Sequence, residues 1–102
     1  MVKCKYGEIT EEQLSSYKAK LHSSVHWLLI YAEKNDNDII LPYFTRVQET
    51  FLSLNEVLMY PESILEIINK LEIAKLEYMK KEYNHRLYRS CILDVHDLID
   101  KF

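Results

Sequence analysis

The near absence of glycine and proline constrains the fold of this chain more than any other feature of its sequence. One glycine and two prolines occur in 102 residues. Turns and hairpins use both residue types, because glycine reaches positive φ angles and proline fixes a bend. The scarcity disfavours an all-β fold and favours long helices connected by short joints.

Composition and length indicate a single globular domain. Hydrophobic residues make up 48% and charged residues 28% of the chain, which argues against disorder. The longest uncharged apolar run, Trp27 to Ala32, is too short to cross a bilayer, and MVKCKYGEIT has no apolar signal segment. Cys4 and Cys91 lack CxxC spacing. We therefore expect a cytoplasmic protein with reduced thiols and no membrane contact.

Apolar residues that recur at three- and four-residue spacing predict four helices. We predict helices at residues 10–34, 42–59, 61–81 and 84–102, with residues 1–9 as an N-terminal extension of a domain that spans 1–102. Since the joints are short and no linker interrupts the chain, the sequence predicts an all-α fold, an antiparallel (up-down-up-down) four-helix bundle.

Local signals support these boundaries. Thr10 followed by Gln13 is typical of a capping box, and Asn84 is the predicted N-cap of the fourth helix. Pro42 and Pro61 suit first helical turns, where a missing N–H costs nothing. The run NDND, residues 35–38, predicts a turn between the first two helices.

Large apolar residues outside the main helical stripes are the most unusual feature of the sequence. A monomeric bundle buries about one apolar stripe per helix. A second apolar side of a helix must therefore be shielded from water in another way. Either one helix is enclosed by the others, or the second surface meets another chain, as a homodimer or with a different protein. The predicted partner-binding residues are Trp27, Ile30, Leu65, Ile73 and Leu76, with Trp27 as the anchor.

A strip of basic and tyrosine residues at 75–89 offers an alternative function. Basic groups beside aromatic rings can hold phosphates and stack bases. The possible nucleic-acid-binding residues are Lys80, Lys81, His85, Arg86 and Arg89. The competing interpretation is a solvated helix end with tyrosines at the core boundary, and the net charge of −3 favours it.

His22 and His26 lie four residues apart, so they share one helix face and could share a metal ion. Zinc needs at least three protein ligands, so the fourth helix would have to supply His96 or Asp100. The helical wheel places both of those residues toward water. We therefore interpret the two histidines as residues at the solvent-exposed edge of a packed helix. A metal-binding bundle that uses His22 and His26 is the third hypothesis.

Other candidate reactive groups have structural interpretations. Cys91 falls in the apolar stripe of the fourth helix, where a thiol is usually inert packing. Asp94 lies beside core positions and needs a partner, for which we considered Arg46, His22 or a tyrosine hydroxyl. No glycine-rich loop can cradle phosphate. We expect no catalytic residues, no cofactor and no small-molecule substrate.

The leading hypothesis is thus a small non-enzymatic helical protein that works by binding another protein, and that self-associates as a homodimer. Adaptors, inhibitors, immunity proteins and antitoxins act in this way. Abundant Lys, Ile, Asn, Glu and Tyr is typical of AT-rich bacterial or phage genes, so an accessory protein of such a genome is expected.

Overall fold

A computed structural model describes residues 2–34 and 37–102 of the chain, and over that range it contains a short hairpin followed by four helices. The strands are β1 (Val2–Cys4) and β2 (Gly7–Ile9); the helices are α1 (Glu11–Glu33), α2 (Asn37–Val57), α3 (Glu62–Tyr78) and α4 (His85–Ile99).

The helices pack in a closed ring, with α1 against α2, α2 against α3, α3 against α4, and α4 back against α1. The particle is elongated, 45 × 20 × 20 Å. The predicted all-α four-helix bundle is confirmed, and the up-down-up-down order of its helices stays a prediction. Within the described ranges, none of the helices combines the length and the apolarity needed to cross a bilayer.

The N-terminal extension contains a β-hairpin that the sequence analysis did not predict. Its two strands are antiparallel, with Cys4 opposite Gly7. Gly7, the only glycine of the chain, has a φ of 129°, which an L side chain adopts only with strain. The Lys5 N–H donates to the carbonyl of Val57 at 2.7 Å, and the Lys5 ammonium pairs with Glu56. These contacts hold the hairpin against the end of α2.

The two predicted N-caps are confirmed. The Thr10 hydroxyl accepts from the Gln13 N–H at 3.0 Å, and the Gln13 side chain accepts from the Thr10 N–H at 2.9 Å. The Asn84 side chain accepts from the N–H groups of Arg86 and Leu87. Both caps satisfy helix N–H groups that have no partner within the helix.

The predicted start of the second helix is wrong. α2 begins at Asn37, so Pro42 lies inside the helix instead of in its first turn. Ile40, one helical turn before the buried Phe44, is itself fully buried, and its burial stabilises the extra turn. Asn37 and Asp38 of the predicted turn therefore belong to α2, and Asn35 and Asp36 lie outside the described residues.

α2 ends at Val57 through two residues in the left-handed region, Met59 with φ 61° and Tyr60 with φ 64°. The Tyr60 N–H donates to the carbonyl of Asn55 at 2.8 Å, which satisfies a carbonyl of the last turn. The next helix begins at Glu62 with Pro61 as its N-cap. The predicted helix boundaries at 59, 61, 81 and 102 therefore make the helices one to three residues too long at these ends.

The core runs along the inside of the ring, and on α4 it differs from the prediction. The recurrence of Leu87, Cys91, Val95, Leu98 and Phe102 predicts a buried stripe, but Leu87 is 44% exposed, and Tyr88, Ile92 and Ile99 are fully buried. Because Cys91, Val95 and Leu98 are buried as predicted, the centre of the buried side is rotated by about 40° toward Tyr88 and Ile92.

Candidate functional site

Four of the five predicted partner-binding residues lie on the surface with large exposed fractions. Exposure is 41% for Trp27, 54% for Leu65, 48% for Ile73 and 55% for Leu76, and Ile30 is half-buried. None of the five is enclosed in the core of this chain. The part of the chain that the structure describes therefore does not bury these residues, as it would if one helix were enclosed by the other three.

The structure divides these five residues between two faces. Trp27 and Ile30 belong to α1, and the other three belong to α3. Helices α1 and α3 stand at opposite corners of the ring. Since an exposed face points away from the bundle axis, the two groups face opposite directions.

Leu65, Ile73 and Leu76 form what we call the α3 face. On a helix that turns about 100° per residue, these three positions fall within an arc of about 80°. The arc lies opposite the core side of α3, whose buried residues include Ile67 and Leu71. The α3 face is therefore the outward side of the helix.

Two further exposed leucines flank the α3 face. Leu52 of α2 is 54% exposed and lies one helical turn from Gln48, which hydrogen bonds to Glu72 of α3 at 2.8 Å. Leu87 lies two turns before Asp94, on the side of α4 that faces α3. The apolar surface thus extends from α3 onto its two neighbours.

The two ends of α3 carry opposite charges, and the charges between them are of mixed sign: Lys70, Glu72, Lys75 and Glu77. Glu62 and Glu66 are exposed at its start, and Lys80 and Lys81 are exposed just beyond its end. Lys80 pairs with Glu77 at 2.7 Å, whereas Glu62, Glu66 and Lys81 have no ion-pair partner within residues 2–34 and 37–102. The α3 face therefore carries acid at one end and base at the other.

The α1 side is partly covered by the chain itself. The Trp27 ring lies 5.4 Å from that of Tyr31, which lies 5.3 Å from that of Tyr43. The Tyr43 hydroxyl donates to the carbonyl of Ser24 at 2.9 Å, and burial raises the pKa of this hydroxyl. The three rings close the contact between α1 and α2, so Trp27 has a structural role beside any role in binding.

The basic and tyrosine strip separates in the fold. Tyr78 and Tyr88 are buried with their ring centres 5.5 Å apart, and Tyr83 is half-buried against both. Lys80, Lys81, Arg86 and Arg89 are exposed, and half-buried His85 hydrogen bonds to Tyr83 at 3.2 Å. The rings therefore pack inward and do not form a platform on which bases could stack.

The histidines meet α4: the Asp100 side chain is 69% exposed, as predicted, but Asp100 and His96 both also contact His22 of α1. His22 Nε2 lies 2.8 Å from the Oδ1 of Asp100, and the rings of His22 and His96 are 4.0 Å apart. This hydrogen bond lowers the pKa of the Asp100 carboxyl. His26 is exposed beside the cluster. Within the described ranges, no three His, Cys, Asp or Glu side chains are placed to hold a metal ion.

Asp94 and Cys91 have ordinary surroundings. Asp94 pairs with Lys70 at 3.3 Å, so its partner is none of the three that the sequence analysis considered. Its side chain is 49% exposed, which makes it a surface ion pair instead of a buried network. Cys91 is buried, and burial raises the pKa of its thiol, which makes it a poor nucleophile.

Glu77 is a structural residue that the sequence analysis missed. It is 6% exposed, and its carboxylate accepts from the Asn84 N–H at 2.8 Å and from the Lys80 ammonium. These contacts lower its pKa, the Lys80 hydrogen bond most. Glu77 therefore connects α3 to the N-cap of α4. Its position three residues after the buried Ala74, on the same side of α3, was the available signal.

An apolar groove lies between the hairpin and the bundle. It has a volume of about 360 Å³ and is lined chiefly by side chains from β2, α1 and the end of α2, including Ile9, Leu14, Tyr17 and Val57. Its depth depends on the docked hairpin. Nothing else in the described structure indicates what would occupy it.

Comparison of the chain with protein-family models, with curated proteins and with solved structures finds no match. The function has to be inferred from the surface itself.

Proposed function

We propose that this chain acts by binding another protein molecule through the α3 face. The observation that carries the proposal is the exposure of Leu65, Ile73 and Leu76, each about half open to solvent on one outward side of one helix. Burying a fully exposed aliphatic side chain of this size is worth about 1.5–3 kcal/mol, and roughly half of that remains for each of these half-exposed residues. Three on one face, with Leu52 and Leu87 beside them, give a partner a substantial driving force.

The polar residues around this face suit an interface. Glu62, Glu66 and Glu72 border the apolar positions on the same exposed side of α3, and Asn69 lies between Leu65 and Ile73. Apolar centres with a polar, solvent-accessible rim are the usual anatomy of protein interfaces. The rim fixes the orientation of the partner, and the apolar centre supplies most of the affinity.

The nucleic-acid alternative has weaker support. It retains the exposed Lys80, Lys81, Arg86 and Arg89, but Tyr78 and Tyr88, which would stack on bases, are buried. Metal binding through His22 and His26 has weaker support still, because His22 is engaged by Asp100. Protein binding is the hypothesis that uses the exposed apolar residues.

We therefore place the chain among small non-enzymatic interaction proteins such as adaptors, inhibitors, immunity proteins or antitoxins. We also propose a cytoplasmic location, which the free thiols of Cys4 and Cys91 favour.

Site-specific photo-cross-linking in the native cell tests this function. A photoreactive amino acid at position 76 is expected to form a discrete covalent adduct with a protein, which mass spectrometry identifies. The matched control carries the same amino acid at Glu49, an exposed position on the outward side of α2. Adduct at position 76 that disappears with Leu65→Glu supports the proposal.

Equal or absent protein adducts at positions 76 and 49 would contradict it. Nuclease treatment before analysis separates the alternative: an adduct at position 76 that contains nucleic acid instead of protein overturns the proposal.

A further inference from the structure

We infer that the molecule covering the α3 face is a second copy of this chain, with the two α3 helices side by side and antiparallel about a two-fold axis. This inference rests on the proposed function, and it names the partner and its orientation. It is carried by the exposed apolar residues of α3 and by the opposite charges at its two ends, which complement themselves when the helix is reversed.

The apolar residues fit such a pairing. In a two-fold interface, if residue i contacts residue j of the second copy, residue j contacts residue i in return. Leu65 and Leu76 are eleven positions apart, about 16 Å along the helix. An antiparallel pair centred between them brings Leu65 onto Leu76 of the second copy twice, with Ile73 close to the axis.

The charges fit the same pairing. In the register set by Leu65 and Leu76, reversal places Glu62 beside Lys80 and Lys81 of the second copy, again twice. Glu62 and Lys81 are exposed and have no ion-pair partner among the described residues, so they are free to pair between chains. A parallel arrangement would place acid against acid and base against base, which destabilises an interface.

The dipole of α3 accounts for part of this charge order, since acids at the start and bases at the end stabilise any helix. It does not account for three large aliphatic residues on the outward side between those charges. Binding to a different protein would not require the residues of α3 to complement themselves when the helix is reversed. The combination of central apolar residues with opposite charges at the two ends favours a second copy.

The inference is tested by mixing two charged variants of the chain. Leu65→Glu and Leu76→Lys each place a charge in the apolar contact, so each alone should weaken the dimer about 100-fold and give a monomer at micromolar concentration. Mixed in equal amounts, they should form a heterodimer. In that heterodimer the introduced carboxylate at position 65 faces the introduced ammonium at position 76, while the two remaining leucines face each other. Native mass spectrometry distinguishes the three species.

Controls separate folding from association. Both sites are half exposed, so circular dichroism should show unchanged helicity. Glu49→Lys, on the outward side of α2, should remain a dimer. As a second test at a polar position, Glu62→Lys should weaken the dimer about tenfold.

A wild-type chain that stays at 12.3 kDa up to high micromolar concentration overturns the inference, as does a mixture that remains monomeric. Failure of the dimer alone leaves the proposed function standing if the cross-link at position 76 joins a different protein. Loss of both results would refute the two together.

Discussion

The hydroxyl of Tyr88 on α4 donates a hydrogen bond of 2.9 Å to the carbonyl of Leu28 on α1, and both side chains are completely buried. This bond links two neighbouring helices of the ring through the core. It satisfies the one polar group of the largest fully buried side chain. Burial also raises the pKa of Tyr88, so its hydroxyl stays neutral and keeps donating at any physiological pH.

Replacing Tyr88 by phenylalanine removes this bond and keeps the ring. We expect the free energy of unfolding to fall by about 0.5–1.5 kcal/mol, the usual net value of an intramolecular hydrogen bond. Urea denaturation measures it. Tyr43→Phe is the matched control, because its hydroxyl also donates to a backbone carbonyl but is only half-buried, and its effect should be smaller. Equal stability of Tyr88→Phe and wild type would contradict the assigned role.

Glu77 should give the fold a dependence on acid pH. Its folded pKa lies below the ordinary 4.5, because Lys80 and the Asn84 N–H stabilise the carboxylate. A group with a lowered folded pKa contributes stability above its unfolded pKa and loses that contribution as the pH falls through the folded value. The melting temperature of Glu77→Gln should be lower than that of wild type at pH 7, and the gap should close below pH 4.5. A gap that is constant with pH would refute the assignment.

The left-handed conformation of Met59 predicts a stabilising substitution. Its φ of 61° costs an L residue about 1–2 kcal/mol, part of which glycine recovers despite its greater freedom in the unfolded chain. Met59→Gly should therefore raise stability by about 0.5–1 kcal/mol. Met79 is an equally exposed methionine with a φ of −76°, so Met79→Gly should lower stability. If both variants are destabilised alike, the turn is not strained.

Substitution of Trp27 distinguishes the two exposed faces. Because Trp27 lies across the ring from α3, Trp27→Asp should leave a dimer formed through the α3 face intact. It should lower stability modestly, since the ring packs on Tyr31 at 5.4 Å. Sedimentation velocity measures the association. A helical but monomeric Trp27→Asp variant would assign the interface to α1 instead.

The helices were predictable because their signals are local. Capping residues and periodic apolar residues act within a few positions, so Thr10 with Gln13 and Asn84 could be identified from the sequence alone. The hairpin was not predictable in this way, because β1 and β2 are short. They depend on Lys5 reaching Val57 and Glu56 at the far end of α2.

The candidate site was predictable only in part. Apolar positions outside the main stripes identified Leu65, Ile73 and Leu76 as exposed, because the helical wheel fixes which side of a helix is outward. The wheel cannot say which helices are neighbours. It therefore grouped Trp27 with the α3 residues, although the ring places α1 and α3 at opposite corners. The same limit hid the contact of His22 with Asp100.

Cross-linking at Ile73 tests the two-fold pairing of α3 most directly, because this residue lies close to the proposed axis. In a Cys4→Ser background, where the remaining Cys91 is buried, Ile73→Cys should be joined to itself by a short bismaleimide to give a covalent dimer at micromolar concentration. Glu49→Cys in the same background should stay monomeric. An Ile73→Cys variant that is folded and cross-links no more than Glu49→Cys would contradict the account.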